Sequence, residues 1–109
     1  MKTKLKTTRN KIYPINTSIN SKGHLCIGNL DMVELANKFG TPLYILDKET
    51  VSHNLSSYIN SIKKYYANFL VLYAAKSLAC KEIFRIINKS NSGIDVVSGG
   101  EFYLGLKIN

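Results

Sequence analysis

Lys76 occupies a position that suits amine chemistry. It follows an apolar run, Phe69–Ala74, whose valine, tyrosine and phenylalanine are typical of a strand buried on both faces, and small residues flank it. The carboxyl ends of such strands form the active sites of α/β sheets and barrels. A lysine amine freed by burial makes Schiff bases with carbonyl compounds, so the pattern indicates a candidate nucleophile. The simpler alternative is a lysine that ends a strand and extends its ammonium group into water.

Two carboxylates follow in the next part of the chain. Asp95 lies in a second short apolar run, Ile94–Val97, and Glu101 comes after Ser98-Gly99-Gly100. Because neighbouring parallel strands end at the same edge of a sheet, Asp95 could face Lys76 and hold its amine charged or oriented. Asp95 could equally cap a turn, and Glu101 could simply complement the positive end of a helix. The Ser98–Gly100 turn could also bind an anion through backbone N–H groups, although no P-loop sequence follows it.

Alternating strand and helix patterns are predicted to position these groups. Helices begin at two capping residues, Asp31 (with Glu34 three positions later) and Asp47. The predicted strands are 23–28, 43–46, 69–74 and 94–97, and the predicted helices are 31–38, 47–66, 78–88 and 101–106. This order is typical of βαβ units in a parallel sheet, so the fold class is α/β. Since so few strands cannot cover both faces of a parallel sheet, the sequence predicts the opening of a larger fold: a fragment, a truncated product or half of a split protein.

Most of the positive charge belongs to the beginning of the chain. The formal net charge is +8, and the first thirty residues hold no acid but contain Lys2, Lys4, Lys6, Arg9, Lys11 and Lys22. Residues 1–22 are therefore interpreted as a basic, flexible leader, with an RNA-contacting arm and a weak organelle-targeting segment as alternatives. The remainder is nearly balanced in charge, which argues against nucleic acid as a partner.

Other residue types give weaker signals. Cys26 and Cys80 have no metal-type spacing and are predicted to be free thiols, with a disulfide between them as the alternative. His24 has no acidic or nucleophilic sequence neighbour, so it is predicted to be an ordinary surface histidine rather than a ligand. His53 lies off the apolar stripe of its predicted helix and is predicted to face solvent. No metal site is expected, and no apolar run approaches the length of about 18 residues that a membrane span requires.

Three segments resemble one enzyme family. Tyr73-Ala74-Ala75-Lys76 is similar to the cofactor-lysine motif of pyridoxal-phosphate decarboxylases with an alanine-racemase-like barrel. Gly93-Ile94-Asp95-Val96-Val97-Ser98-Gly99-Gly100-Glu101 resembles a signature of the diaminopimelate decarboxylase branch. Gly40-Thr41-Pro42-Leu43-Tyr44-Ile45-Leu46-Asp47 resembles the segment that precedes the barrel in the same enzymes. Together, and in the expected order, the three segments place about residues 23–108 within the resemblance.

The resemblance implies a fold and a site. The chain would be the start of a pyridoxal-phosphate-binding (β/α)₈ barrel of the TIM type, truncated after about two barrel strands. Residues 23–47 would precede the barrel and include strands of a β domain, and residues 48–109 would form its first βα units. Lys76 would be the catalytic residue and bind pyridoxal 5'-phosphate covalently, with Asp95 and Ala74 beside the cofactor. Glu101 would be a more distant contact.

The resemblance also implies an activity. The substrate would be an amino acid, meso-2,6-diaminopimelate, and the products L-lysine and CO2, in a cytoplasmic enzyme (or a plastid-type one in a eukaryote) that forms a homodimer. The family's remaining cofactor anchors lie far downstream, so the 109-residue chain alone is expected to be inactive. The alternatives are a non-catalytic remnant or split fragment that acts only by binding a partner, and a basic RNA-binding protein that uses its leader.

Overall fold

The structure, a computed structural model, describes residues 3–4 and 12–108, which fall into two compact units, Met1–Thr50 and Val51–Asn109. The first unit contains a four-stranded antiparallel sheet in sequential order. Its strands are β1 (Thr3–Lys4), β2 (Thr17–Ile19), β3 (Leu25–Ile27) and β4 (Leu30–Asp31). The leader predicted over residues 1–22 thus contains β1 and β2, two strands that the sequence pattern did not indicate. Residues 1–2 and 5–11 of that leader lie outside the described residues.

The β3–β4 hairpin closes through two residues with positive φ. Ile27 pairs with Leu30, so only Gly28 (φ 56°) and Asn29 (φ 68°) form the loop. Two consecutive positive φ angles match the twist of the flanking strands, and glycine and asparagine are the residues that adopt them most readily. The hairpin therefore leads directly into the first helix.

Helix α1 (Met32–Phe39) begins and ends as its sequence predicts. The Asp31 carboxylate accepts hydrogen bonds from the backbone amides of Val33 (2.9 Å) and Glu34 (3.3 Å), which satisfies two of the free N–H groups of the first turn. Gly40 has φ 83° and donates its backbone N–H to the Ala36 carbonyl at the other end. Both predicted boundaries are confirmed.

Asp31 also joins the helix to the strands before it. Its Oδ2 atom accepts a hydrogen bond from Asn20 Nδ2 at 2.7 Å and lies 2.9 Å from His24 Nδ1. The prediction that His24 is an ordinary surface histidine is therefore wrong, because the hairpin brings a carboxylate seven residues away in sequence against the ring. Burial opposes ionisation of Asp31, but these contacts and the two backbone amides outweigh it and lower the pKa of Asp31 from 3.8 to about 2.

The depressed pKa of Asp31 predicts a specific acid sensitivity of the first unit. A carboxyl group whose pKa is lower in the folded than in the unfolded state stabilises the fold above pH 4, and that contribution is lost as the pH falls from about 4 towards 2. The thermal midpoint of the wild-type chain is expected to fall more steeply in this window than that of Asp31→Asn, measured by circular dichroism. Parallel curves for the two proteins would contradict the prediction.

Residues 43–46 do not form the strand that the sequence predicts. They lie between α1 and α2 (Lys48–Lys63) as an extended segment without assigned secondary structure, and Tyr44 is fully exposed. A strand needs a neighbour for its backbone hydrogen bonds, and no described residue forms a ladder with this segment. The capping of α2 is as predicted, since Asp47 accepts a hydrogen bond from the Thr50 amide at 3.1 Å.

The second unit contains a parallel pair of strands joined by a helix. Its elements after α2 are β5 (Leu72–Ala74), a 3₁₀ turn (Ala75–Ser77), α3 (Lys81–Lys89), β6 (Gly93–Asp95) and α4 (Gly99–Leu106). Leu72 pairs with Gly93, Tyr73 with Ile94 and Ala74 with Asp95. The predicted α/β class is confirmed. The strands are shorter than predicted, because only three residues of each find a partner along the ladder.

The core of the second unit is built mainly by α3. Ile83, Phe84 and Ile87 are buried, and together with Ala75 they form one cluster against which β5 and β6 pack. Leu78, where the sequence predicts this helix to begin, is 49% exposed. The reason is that α3 begins at Lys81 rather than at residue 78, so Leu78 belongs to the connection before it.

Candidate functional site

Lys76 lies in the 3₁₀ turn that directly follows β5. The residue before it, Ala75, is completely buried in the core of the second unit. The Lys76 side chain is exposed, and no residue within 3–4 and 12–108 forms an ion pair with it. The backbone of Lys76 is therefore anchored while its amine faces outward. The sequence suggested that burial makes the Lys76 amine nucleophilic. The described part of this chain does not bury it.

The parallel register brings the other predicted residues to the same end of the sheet. Asp95 is the last residue of β6 and pairs with Ala74, the last residue of β5. Lys76 follows Ala74 by two positions, so all three residues lie at the carboxyl ends of the two strands. Asp95 is exposed and Ala74 is half-buried. An amine, a carboxylate and a small side chain are thus gathered at the edge where parallel sheets bind ligands.

Side-chain hydroxyl groups before and after Lys76 form hydrogen bonds around the 3₁₀ turn that contains it. Ser77 Oγ lies 2.8 Å from the Ala74 carbonyl oxygen and 2.9 Å from the hydroxyl of Tyr73. The Tyr73 hydroxyl donates a hydrogen bond to the Leu78 carbonyl oxygen at 3.1 Å. The strand before Lys76 and the chain after it are therefore joined directly through side chains.

Glu101 acts within its own loop. Its Oε2 atom accepts a hydrogen bond from the Val97 amide at 2.7 Å, and its backbone N–H donates to Ser98 Oγ at 3.2 Å. This reciprocal pair is a variant of the capping box, which satisfies free amides at the start of a helix. The structure therefore gives Glu101 a capping role, one of the two alternatives that the sequence allowed.

A separate groove in the second unit has Tyr73 in its lining but does not include the amine of Lys76 or the carboxylate of Asp95. It has a volume of about 410 Å³ and is lined mainly by apolar residues, including Val51, Leu55, Tyr58, Leu72 and Ile87. Neither Lys76 nor Asp95 lines it. The candidate chemistry therefore lies at the strand ends and not in this groove.

Residues 3–4 and 12–108 contain neither a cluster of metal ligands nor a membrane-spanning helix. Three or more His, Cys, Asp or Glu side chains nowhere come together there in a way that could hold a metal ion. Cys26 and Cys80 are free thiols, as predicted. No helix in the described part of the chain is long and apolar enough to cross a membrane.

The sequence alone did not reveal the roles of Tyr73 and Ser77. The Ser77 contact with Ala74 spans three residues, a spacing at which serine commonly bonds to the backbone, so the local sequence carried a weak signal for it. The contact of Tyr73 with Leu78 depends on how the chain leaves the 3₁₀ turn, and no residue pattern encodes that direction.

Comparison with known proteins identifies diaminopimelate decarboxylases as relatives. A diaminopimelate decarboxylase of Methanothermobacter thermautotrophicus is 42% identical over 88 residues, which are 81% of this chain and 21% of that protein. The crystal structure of a diaminopimelate decarboxylase from M. jannaschii is 36% identical, with a TM-score of 0.77 over 87% of this chain and 23% of the other. A co-complex of the M. jannaschii enzyme with L-lysine matches with a TM-score of 0.76, at 36% identity over 89% of this chain and 24% of the other. No family model matches the chain.

These matches confirm the predicted resemblance. The chain spans about a fifth of the length of the curated relatives it matches. Over that part it shares both sequence and fold with diaminopimelate decarboxylases, and the predicted likeness to the start of their barrel is confirmed at the level of the fold.

Proposed function

We propose that this chain carries the lysine to which pyridoxal 5'-phosphate is attached in a decarboxylase. The premise is that the chain corresponds in sequence and fold to about a fifth of a diaminopimelate decarboxylase. The proposed enzyme converts meso-2,6-diaminopimelate to L-lysine and CO2. The position of Lys76 supports this most directly. Lys76 lies in the 3₁₀ turn that directly follows β5, at the same sheet edge as Asp95.

The residues at this edge suit the cofactor chemically. The Lys76 amine is exposed, so it can reach a carbonyl carbon, and its backbone is held by the buried Ala75. Asp95 supplies a carboxylate at the neighbouring strand end. Ala74 carries only a methyl group, which leaves space above the end of β5. Lys76, Asp95 and Ala74 are therefore the residues proposed to contact the cofactor.

Each residue has a distinct role in the proposed reaction. Bound pyridoxal phosphate supplies an electron sink for the negative charge that loss of a carboxylate leaves on the substrate. Lys76 Nζ would hold the cofactor covalently through its carbonyl carbon. Asp95, at the neighbouring strand end, would orient the Lys76 side chain through its negative charge.

The complete enzyme is proposed to be a cytoplasmic homodimer. The described part of this chain supplies two strands of the parallel sheet, whereas the curated relatives are about five times longer than the segment they share with it. L-Lysine bound to the M. jannaschii enzyme supports an amino acid as the ligand of the proposed site. Substrate binding and turnover are assigned to the whole protein rather than to these residues alone.

Covalent trapping of the cofactor tests the proposal. The chain is incubated with pyridoxal phosphate, reduced with borohydride and digested, and the pyridoxyl-modified fraction of each lysine is measured by mass spectrometry. We expect modification of Lys76 to exceed that of Lys81, an exposed lysine at the start of α3 in the same unit. Lys76→Ala should lose the adduct at position 76 and leave Lys81 unchanged. Equal modification of the two lysines in the wild-type chain would contradict the proposal and favour a non-catalytic fragment.

A further inference from the structure

We infer that the hydroxyl groups of Tyr73 and Ser77 are positioning groups for the Lys76 amine, an inference that rests on the proposed function. Neither hydroxyl touches the amine itself. They act through the backbone, since one belongs to the strand before Lys76 and the other to the residue after it. Two of their three contacts end on the backbone carbonyls of Ala74 and Leu78, on either side of Lys76, and the third joins the two hydroxyls.

The number of protons shows that the two hydroxyls work as one unit. Tyr73 and Ser77 have one hydroxyl proton each, but their oxygens make three close contacts. The Tyr73 proton goes to the Leu78 carbonyl oxygen. The single Ser77 proton is then shared between Tyr73 Oη and the Ala74 carbonyl oxygen. Removing the Tyr73 hydroxyl therefore ends the Leu78 contact and leaves the Ser77 proton to the Ala74 carbonyl alone, whereas removing the Ser77 hydroxyl ends two of the three contacts.

The turn depends on these contacts because its backbone alone is weakly held. It is only three residues long, and short 3₁₀ segments have poorer hydrogen-bond geometry than α-helices. Ala75 is fixed by complete burial, but Ser77 and Leu78 are exposed and have no such anchor. Without the hydroxyl contacts, the chain after Ala75 would sample other directions and carry the amine with it.

The exposure of the Lys76 side chain explains why the hydroxyl contacts of Tyr73 and Ser77 matter. A lysine whose only role was to end a strand would need no fixed backbone, because its ammonium group would be solvated in any orientation. Here the backbone is held two residues before and two residues after Lys76, at the carbonyls of Ala74 and Leu78, while the Lys76 side chain is exposed. Holding a nucleophile in one orientation before its partner arrives lowers the entropic cost of reaction.

Three variants separate this role from general stability. Tyr73→Phe removes one hydroxyl and keeps the ring that packs against the core, Ser77→Ala removes the other, and Ser77→Thr retains a hydroxyl at the same place. Tyr65→Phe is the matched control, since it makes the same chemical change at a tyrosine that is 81% exposed. Folding of each variant is verified by circular dichroism and thermal denaturation before labelling.

The readout is the rate of borohydride-trapped pyridoxyl modification of Lys76 divided by that of Lys81 in the same molecules. We expect this ratio to fall about fivefold in Tyr73→Phe and in Ser77→Ala, the factor that corresponds to a net hydrogen bond of about 1 kcal/mol. Ser77→Thr and Tyr65→Phe should keep the wild-type ratio. The double variant should lose less than the product of the single effects, because the two hydroxyls share one network.

The outcomes distinguish this inference from the proposed function. If the wild-type chain shows no preference for Lys76, the proposed function fails. If the wild type shows the preference and Tyr73→Phe and Ser77→Ala keep it, the positioning inference is overturned while the proposed function stands. Should one of the two variants fail to fold, the other decides, since Ser77 is exposed and Phe preserves the Tyr73 ring contacts.

Discussion

Replacing Lys76 by arginine is expected to abolish decarboxylation in an assembled enzyme. The assembly is a chimera in which this chain replaces the segment of the Methanothermobacter diaminopimelate decarboxylase to which it aligns. Arginine keeps the positive charge, but its guanidinium group is not deprotonated in proteins and cannot replace a free amine as a nucleophile. We therefore expect kcat for CO2 release from meso-diaminopimelate to fall by about 10³-fold or more, on the scale of losing a direct chemical participant.

The matched control for this change is Lys81→Arg. Lys81 lies five residues further on, at the start of α3, and is exposed. Its replacement should leave kcat within about twofold, since surface substitutions seldom disturb a fold. A Lys76→Arg chimera that retains most of its activity would contradict the assignment of Lys76. The 109-residue chain without the remaining segments is expected to release no CO2 in the same assay.

Truncating Phe84 to alanine is expected to unfold the second unit. Phe84 is 0% exposed and lies at the centre of the cluster formed with Ala75, Ile83 and Ile87. Removing a buried phenylalanine ring costs about 3–5 kcal/mol through lost burial and the cavity left behind. Since whole domains are stable by only about 5–15 kcal/mol, a small unit has little stability in reserve. The loss should appear in urea denaturation followed by circular dichroism.

Phe102→Ala provides the control for the loss of Phe84. Phe102 lies on α4 of the same unit and is 58% exposed, so the same truncation removes little buried surface. It should change the free energy of unfolding by no more than about 0.5 kcal/mol. Equal effects of the two substitutions would contradict the assignment of the core. Because Ala75 packs in the same cluster, Phe84→Ala should also abolish the preferential labelling of Lys76.

Two features of the described chain explain why activity is proposed for a larger assembly. The parallel pair β5 and β6 leaves apolar side chains of its own unit exposed, including Leu72 (56%) and Val97 (65%). Parallel strands are normally covered on both faces, so this surface suits contact with further strands and helices. The Lys76 amine is exposed as well. Only the further strands and helices of a larger assembly would exclude water from it.

Local chemistry determined which elements form and where several of them begin. Asp31 and Asp47 cap their helices as their sequence contexts predict, because a carboxylate needs only the amides of the next turn to act as a cap. The spacing of apolar residues predicts a core face of Leu78, Ile83, Phe84, Ile86 and Ile87 for the helix at residues 78–88, and of these Ile83, Phe84 and Ile87 are buried. The motif around Lys76 led to the resemblance that the relatives confirm.

Tertiary structure decided whatever depends on a distant partner. Residues 43–46 have strand-like composition but no ladder, because a strand requires a neighbour that composition cannot supply. The pairing of His24 with Asp31 arises from the hairpin between them. The hydrogen bond from the Tyr73 hydroxyl to the Leu78 carbonyl arises from the direction of the chain after the 3₁₀ turn. Residue types thus determined what each segment could do, whereas the pairing of segments in space decided which contacts were made, since hydrogen bonds and burial require both partners to be present.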